Sequence, residues 1–285
     1  MYFFNFNIIF HGVNMTDSND TDLSKNKDEY YDDEGANSSF TRSLLGLVTF
    51  STIIPLGVYT SIESVVSLTW LWPLLDVILG LFSVAISYCL LNYFHLPSIL
   101  IAVIVYGFLI IITGYNHVDG LLDFADGVMV HGDVKRKIEV MRDPIIGTSA
   151  ISTMMIIAFL TIVSISAVID KNILWAILVA VMSSKLSLLT TCICSKPSAD
   201  GIGKYFVESM DIPKFVASLL ICGIFGYSLL GFLGILGVIG GVFSGSLIAI
   251  IAQRNFNVAT GDVLGASVEI GRAISLLFLV LPIYL

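Results

Sequence analysis

Apolar residues along this chain come in long runs separated by short polar connections. Seven runs, approximately 68–91, 97–114, 145–169, 173–194, 214–231, 233–252 and 263–285, are long enough to cross a bilayer as helices of roughly 20 residues. A shorter run, 43–60, is interrupted by Pro55 and Gly57 and reads as interfacial or re-entrant. Backbone in lipid must satisfy its own hydrogen bonds, so the runs are helices, and no alternation of the barrel type is visible. The expected fold is an all-α integral membrane protein, a polytopic helical bundle of about seven spans plus the short N-terminal segment. Residues 1–40 are expected to form an acidic disordered tail, and 41–285 a single transmembrane helical catalytic domain.

Composition agrees. Of the 285 residues 56% are hydrophobic and 13% charged, which leaves too little charge to solvate a separate globular domain. The mean hydropathy of +0.92 excludes an ordinary soluble protein. The formal charge of −8 comes largely from Asp17, Asp20, Asp22, Asp28, Glu29, Asp32, Asp33 and Glu34, set against only Lys25 and Lys27. The membrane part is therefore near neutral, and its expected partner is the lipid bilayer, with no nucleic acid. Met1 to Phe10 lack the basic flank and cleavage site of a signal peptide, and Met15 is an alternative start. Cys89, Cys192, Cys194 and Cys222 lie in or beside apolar runs and read as small apolar residues rather than a redox or zinc site.

The basic residues orient the bundle. Lys135, Arg136, Lys137 and Arg142 follow the second run, Lys196, Lys204 and Lys214 lie between the fourth and fifth, and Arg254 follows the sixth. All three connections fall on one side, which the positive-inside rule makes cytoplasmic, in a cell membrane. A non-spanning 43–60 keeps the acidic tail on that side too.

The chemistry is concentrated there. Asp119, Asp123 and Asp126 have i, i+4, i+7 spacing and fall within about 60° of one another on a helix. Charge runs are usually solvated faces, but Gly120, Ala125 and Gly127 argue for close packing, and a packed acidic stripe near lipid needs a cation. Carboxylates are hard ligands suited to Mg²⁺ shared with a substrate's phosphates. His117 reads equally as a structural histidine and as a proton acceptor or partner of the stripe. Arg142 and Asp143, before Pro144, are either flanking charges or a phosphate clamp. Lys196 and Lys204 with Gly201 and Gly203 form either a phosphate cradle or an ordinary turn. Asp76 and Lys185 lie inside spans, where ionisable groups are functional candidates or local ion pairs. Thr260, Asp262 and Glu269 open the last run; Asp262 suits a helix cap, whereas Glu269, deeper in, suits the same site as the stripe. Together these residues favour metal-assisted transfer of a phosphate-linked group, a hydroxyl attacking a diphosphate in line.

The stretch 113–127 resembles the glycine-histidine-aspartate-glycine-aspartate signature of the cobalamin synthase (adenosylcobinamide-GDP ribazoletransferase) family. The resemblance extends over Met141-Arg142-Asp143 with Ile146-Gly147, over Thr260-Gly261-Asp262-Val263-Leu264-Gly265-Ala266, and more loosely over Thr52-x-x-Pro55 and Trp72-Pro73-Leu74, covering most of the chain except the tail. It implies a membrane-embedded, Mg²⁺-dependent enzyme acting late in cobalamin assembly. The ribose hydroxyl of α-ribazole, or of its 5′-phosphate, would attack the cobinamide-linked phosphorus of adenosylcobinamide-GDP and release GMP. The chain departs from the family pattern at Tyr115-Asn116, where many members have glycine-leucine, and at Pro144-Ile145, where many have serine-arginine; the latter places more of the phosphate on Arg142. Arg272 stands where a second acid beside Glu269 is expected. Two rivals are a CDP-alcohol type phosphotransferase, whose Ala-Arg pair and G-x-x-x-D-x-x-x-D tail are missing, and an ion-coupled transporter, whose site belongs near the midplane rather than at one face.

Overall fold

A computed structural model describes residues 40–58 and 60–285, so the expected acidic tail lies outside the described residues apart from Phe40, the first residue of a helix. Two compact units divide at Thr69 and Trp70. The described part of the first holds α1 (Phe40–Ser51) and α2 (Ile62–Ser67). Helix α1 ends where the hydroxyls of Ser51 and Thr52 bond back to Leu47 O and Val48 O, at 2.6 and 2.9 Å, and Pro55 follows. At 12 residues it is about 18 Å long, short of the hydrocarbon core, so the 43–60 run does not cross as one helix.

The second unit, Trp70–Leu285, opens with a 3₁₀ turn (Thr69–Leu71 straddles the boundary) and ten helices follow. These are α3 (Trp72–Asn92), α4 (Ser98–Ile112), α5 (Asn116–Met129), α6 (Val134–Met141), α7 (Thr148–Asp170), α8 (Trp175–Cys194), α9 (Gly203–Ser209), α10 (Ile212–Leu230), α11 (Phe232–Phe256) and α12 (Gly261–Tyr284). Local chemistry sets their ends: proline in the first turn of α3 and α10, Asp133 capping α6, Asp211 capping α10 and Thr260 capping α12. Six of these helices are long and apolar enough to cross a membrane, and α4 with α5 passes the same test only as a pair, bent as a broken span or a re-entrant loop is. The seven apolar runs of the sequence correspond to them, element by element.

Helix α8 is the axis of the bundle. Every residue from Ala176 to Cys192 is buried, covered by α3, α10, α11 and α12. Close approach comes from small residues, as expected where lipid supplies no hydrophobic drive between helices. Gly241 of α11 abuts the carbonyl of Ser183, Gly245 abuts that of Ser187, and Gly271 of α12 abuts the Ser187 side chain. Thr191 donates to Gly245 O at 3.1 Å, and Ser275 to Gly237 O at 2.8 Å. The outer helices expose Phe82, Ile156, Phe159, Leu220 and Ile224, a surface suited to acyl chains. All four cysteines are free.

Candidate functional site

The site begins with a break. Between α4 and α5 the chain turns by 91° at Gly114 and Tyr115, both left-handed at φ 65 and 61°. The N–H of Gly114 bonds Ile111 O at 2.9 Å and that of Tyr115 bonds Ile110 O at 3.0 Å, which satisfies the last carbonyls of α4. Helix α5 is thereby redirected onto α12 and α7. Gly120 permits the contact: a Cβ there would stand 2.8 Å from the carbonyl oxygen of Asp262 and 3.2 Å from Cα of Gly265.

This docking sets the stripe beside the start of α12. Asp119 is exposed and Asp123 half-buried. The carboxylates of Asp262, Asp119 and Asp126 all act on Asp123, and those of Asp119 and the guanidinium of Arg142 act on Asp262. Thr260, not Asp262, is the cap of α12: its oxygen accepts from Val263 N at 3.4 Å, and its hydroxyl donates to Asp262 Oδ2 at 3.2 Å. Asp262 is left to face α5.

Asp126 differs from its neighbours on the stripe. It is 8% exposed, and its carboxylate is turned to the start of α7. Oδ2 accepts from Gly147 N at 2.6 Å, and Oδ1 accepts from Ala150 N at 2.9 Å and from the hydroxyl of Ser149.

The three basic connections meet at this end. Arg142 Nη2 stands 2.8 Å from Asp200 Oδ1, Lys196 O accepts from Ala259 N at 2.9 Å, and Gly203 lies against the backbone of Thr260 and Gly261. Asp143 is exposed and accepts from Ile145 N at 3.0 Å in a local turn. The Lys196 side chain is exposed.

Behind the stripe lies a buried charged network. His117 Nε2 is 3.0 Å from Lys185 Nζ, which sits 5.3 Å from the centre of the Trp72 ring and within the field of Asp76. Glu269 is fully buried, and both its oxygens pair with Arg272 at 3.0 Å, while the Tyr106 hydroxyl donates to Oε2 at 3.0 Å. The sequence argument set Glu269 beside the stripe; the structure sets it in this pair, because Arg272 lies one turn on along the same face. Tyr106, Arg272 as a partner and Asp200 were not singled out as site residues. An i, i+3 Glu–Arg pair inside an apolar run was the available signal for Arg272, whereas Tyr106 joins through a tertiary contact.

Among the described residues, no three His, Cys, Asp or Glu side chains are grouped to hold a metal ion by themselves. Mg²⁺ does not need such a cage. It keeps waters and takes one or two carboxylates plus substrate phosphates, and the carboxylates of Asp119, Asp123 and Asp262, within electrostatic reach of one another and with Arg142 in reach of Asp262, fit that donor set.

Fold and site together define a multi-pass helical membrane protein with an acid-rich polar site, edged by basic connections, at one end of its bundle. The chain belongs to the cobalamin-5-phosphate synthase family, which it matches over residues 43–280. It is 34% identical over 241 residues to the adenosylcobinamide-GDP ribazoletransferase of Thermococcus kodakarensis, covering 82% of this chain and 96% of that one. The enzymes of that name from Pyrococcus abyssi, 32% identical over 82% of this chain and 95% of that one, and from Methanococcoides burtonii, 28% identical over 86% and 94%, are also similar. No solved structure matches the chain.

Proposed function

We propose that this transferase of cobalamin synthesis joins adenosylcobinamide-GDP to α-ribazole, or to α-ribazole 5′-phosphate, and releases GMP. The names carried by its relatives support the reaction. The observation that carries the site is the docking of α5 on α12, with Gly120 against the backbone of Asp262, which brings Asp262 within electrostatic reach of Asp119, Asp123 and Arg142. A diphosphate laid there meets carboxylates able to share a hard cation on one side and a forked cation donor on the other.

In this reading a ribose hydroxyl oxygen forms a bond to the cobinamide-linked phosphorus, and the bond from that phosphorus to the bridging oxygen of GMP breaks. The electron pair leaves on the GMP phosphate, and the nucleophile's proton passes to an aspartate of the stripe. Mg²⁺, when bound, would neutralise the diphosphate and make its phosphorus more electrophilic. One or two of the carboxylates of Asp119, Asp123 and Asp262 would hold it, together with the substrate's phosphates and water. Arg142 turns from Asp200 to the departing phosphate and stabilises its charge. His117, engaged by Lys185, braces the start of α5 behind the stripe. The site faces the cytoplasm of a cell membrane in this proposal, supported by the basic residues of the three connections.

The test is GMP release and corrinoid formation by inside-out membrane vesicles given adenosylcobinamide-GDP and Mg²⁺, with α-ribazole, with its 5′-phosphate, or with neither. Product with a ribazole substrate, lost on chelation and absent from right-side-out vesicles, is expected. Asp123→Asn should insert normally and make none. No product from wild-type vesicles with metal present sinks the reading; turnover by Asp123→Asn removes that residue from the site.

A further inference from the structure

We propose that Asp126, the third acid of the stripe, is a positioning residue rather than a metal ligand. Its carboxylate serves as the N-terminal cap of α7 and thereby fixes the 142–147 connection, and Arg142 with it, against Asp119, Asp123 and Asp262. This deepens the proposed phosphoryl transfer and rests on that reading for the roles of the other residues.

A helix start leaves its first N–H groups without partners in the helix. The residue at the N-cap of α7 is Gly147, which has no side chain to offer them. In a capping box two side chains share the work, one taking the N–H of the third helical residue and the other returning to the N–H of the cap. Here a single carboxylate from another helix does both: it accepts from Ala150 N, from the cap's own N–H at Gly147, and from the Ser149 hydroxyl as well. The negative charge also lies at the positive end of a 23-residue helix.

The glycine is fitted to this use. A Cβ on Gly147 would stand 2.6 Å from Asp126 Oδ1 and 2.8 Å from Oδ2, so any side chain there would push the carboxylate out of its seat. On the other side, Gly127 lies against Met141, the last residue of α6, so the chain is held at both ends of the 142–147 connection by adjacent residues of α5. A carboxylate offers about four lone-pair sites, and three are committed. That leaves Asp126 one lone pair for a cation, and coordination through both oxygens would strip a donor from a backbone amide, a cost that the exposed Asp119 and half-buried Asp123 do not carry.

The experiment uses full-length protein in nanodiscs, with Mn²⁺ in place of Mg²⁺ and GDP as the diphosphate probe. Free Mn²⁺ is followed by electron paramagnetic resonance, and amide hydrogen exchange is followed across α7. Asp123→Asn should weaken Mn²⁺ binding by about 10-fold or more and leave exchange at 147–150 unchanged. Asp126→Ala and Gly147→Ala should bind Mn²⁺ as tightly as the wild type, exchange faster at 147–150, and share a raised KM for adenosylcobinamide-GDP. Gly147→Ala keeps every carboxylate and gives the same readout should Asp126→Ala fail to fold. Loss of Mn²⁺ binding in Asp126→Ala equal to that in Asp123→Asn, with exchange at 147–150 unchanged, overturns the inference. If the wild type binds no Mn²⁺ with GDP, the metal reading fails by itself, and the exchange data still decide the role of Asp126.

Discussion

Glu269→Gln should be among the most destabilising single changes in the molecule. The substitution keeps the side-chain volume, so it opens no cavity, but it removes the charge that balances Arg272. That guanidinium is 3% exposed, and both its contacts to Glu269 are 3.0 Å long. Removing one partner of a buried ion pair costs about 3–5 kcal/mol, because the remaining charge stays desolvated. The Tyr106 hydroxyl also exchanges a carboxylate acceptor for an amide. The unfolding constant should rise by about two to four powers of ten. Replacing both residues, Glu269→Met with Arg272→Met, should cost far less than the sum of the single changes, since an apolar pair of similar volume is often neutral where an ion pair was buried. The measurement is equilibrium unfolding in mixed micelles, with detergent as denaturant and tryptophan fluorescence as signal. A loss below about 1 kcal/mol for Glu269→Gln, or a double variant as damaged as the two singles combined, refutes the argument. A raised KM with stability intact would return Glu269 to the substrate.

Gly120→Ala places its Cβ 2.8 Å from a backbone oxygen that has no rotamer to yield, so α5 must lift from α12. A stability loss of about 1–3 kcal/mol with a larger fall in GMP release is expected, and wild-type values for both refute it. Asp200→Ala breaks a pair that is 59% and 66% exposed, so stability should change by about 0–1 kcal/mol. It also frees Arg142, so KM for adenosylcobinamide-GDP should fall; an unchanged or higher KM argues against competition between Asp200 and the phosphate.

Much of the fold was legible because lipid imposes a simple rule on sequence. Each long apolar run became a helix within a few residues of its expected ends, and Pro55 stopped the first segment short of a span. The meeting of Arg142, the 195–203 loop and Thr260–Asp262 at one end was legible from the basic residues that mark those connections. What hydropathy does not record is which helix lies inside. Helix α8 is less apolar than α7, yet α8 is enclosed and α7 faces outward, a difference set by where glycine and serine allow backbones to meet. Spacing alone does not separate the three acids of the stripe. Asp126 shares a helical face with Asp119 and Asp123, but the start of α7, 21 residues on, claims its oxygens, and a tertiary contact of that kind leaves no periodic trace. The same holds for Lys185 and His117, brought together from α8 and α5.

The two buried charge groups bear differently on how the chain enters a membrane. Glu269 and Arg272 stand one turn apart on α12, so that helix carries its own counter-charge and can insert as a neutral rod. Asp76 on α3 has no such companion; its balancing ammonium, Lys185, belongs to a helix made long afterwards. A lone charge near the centre of a span, where Lys185 lies, costs about 2.5–3.5 kcal/mol on insertion scales, and Asp76, nearer the start of its helix, costs less; lying side by side lets α3 and α8 offset both. Their ionisable residues thus work as an assembly code, favouring one pairing of helices in a medium where apolar surface cannot tell neighbours apart.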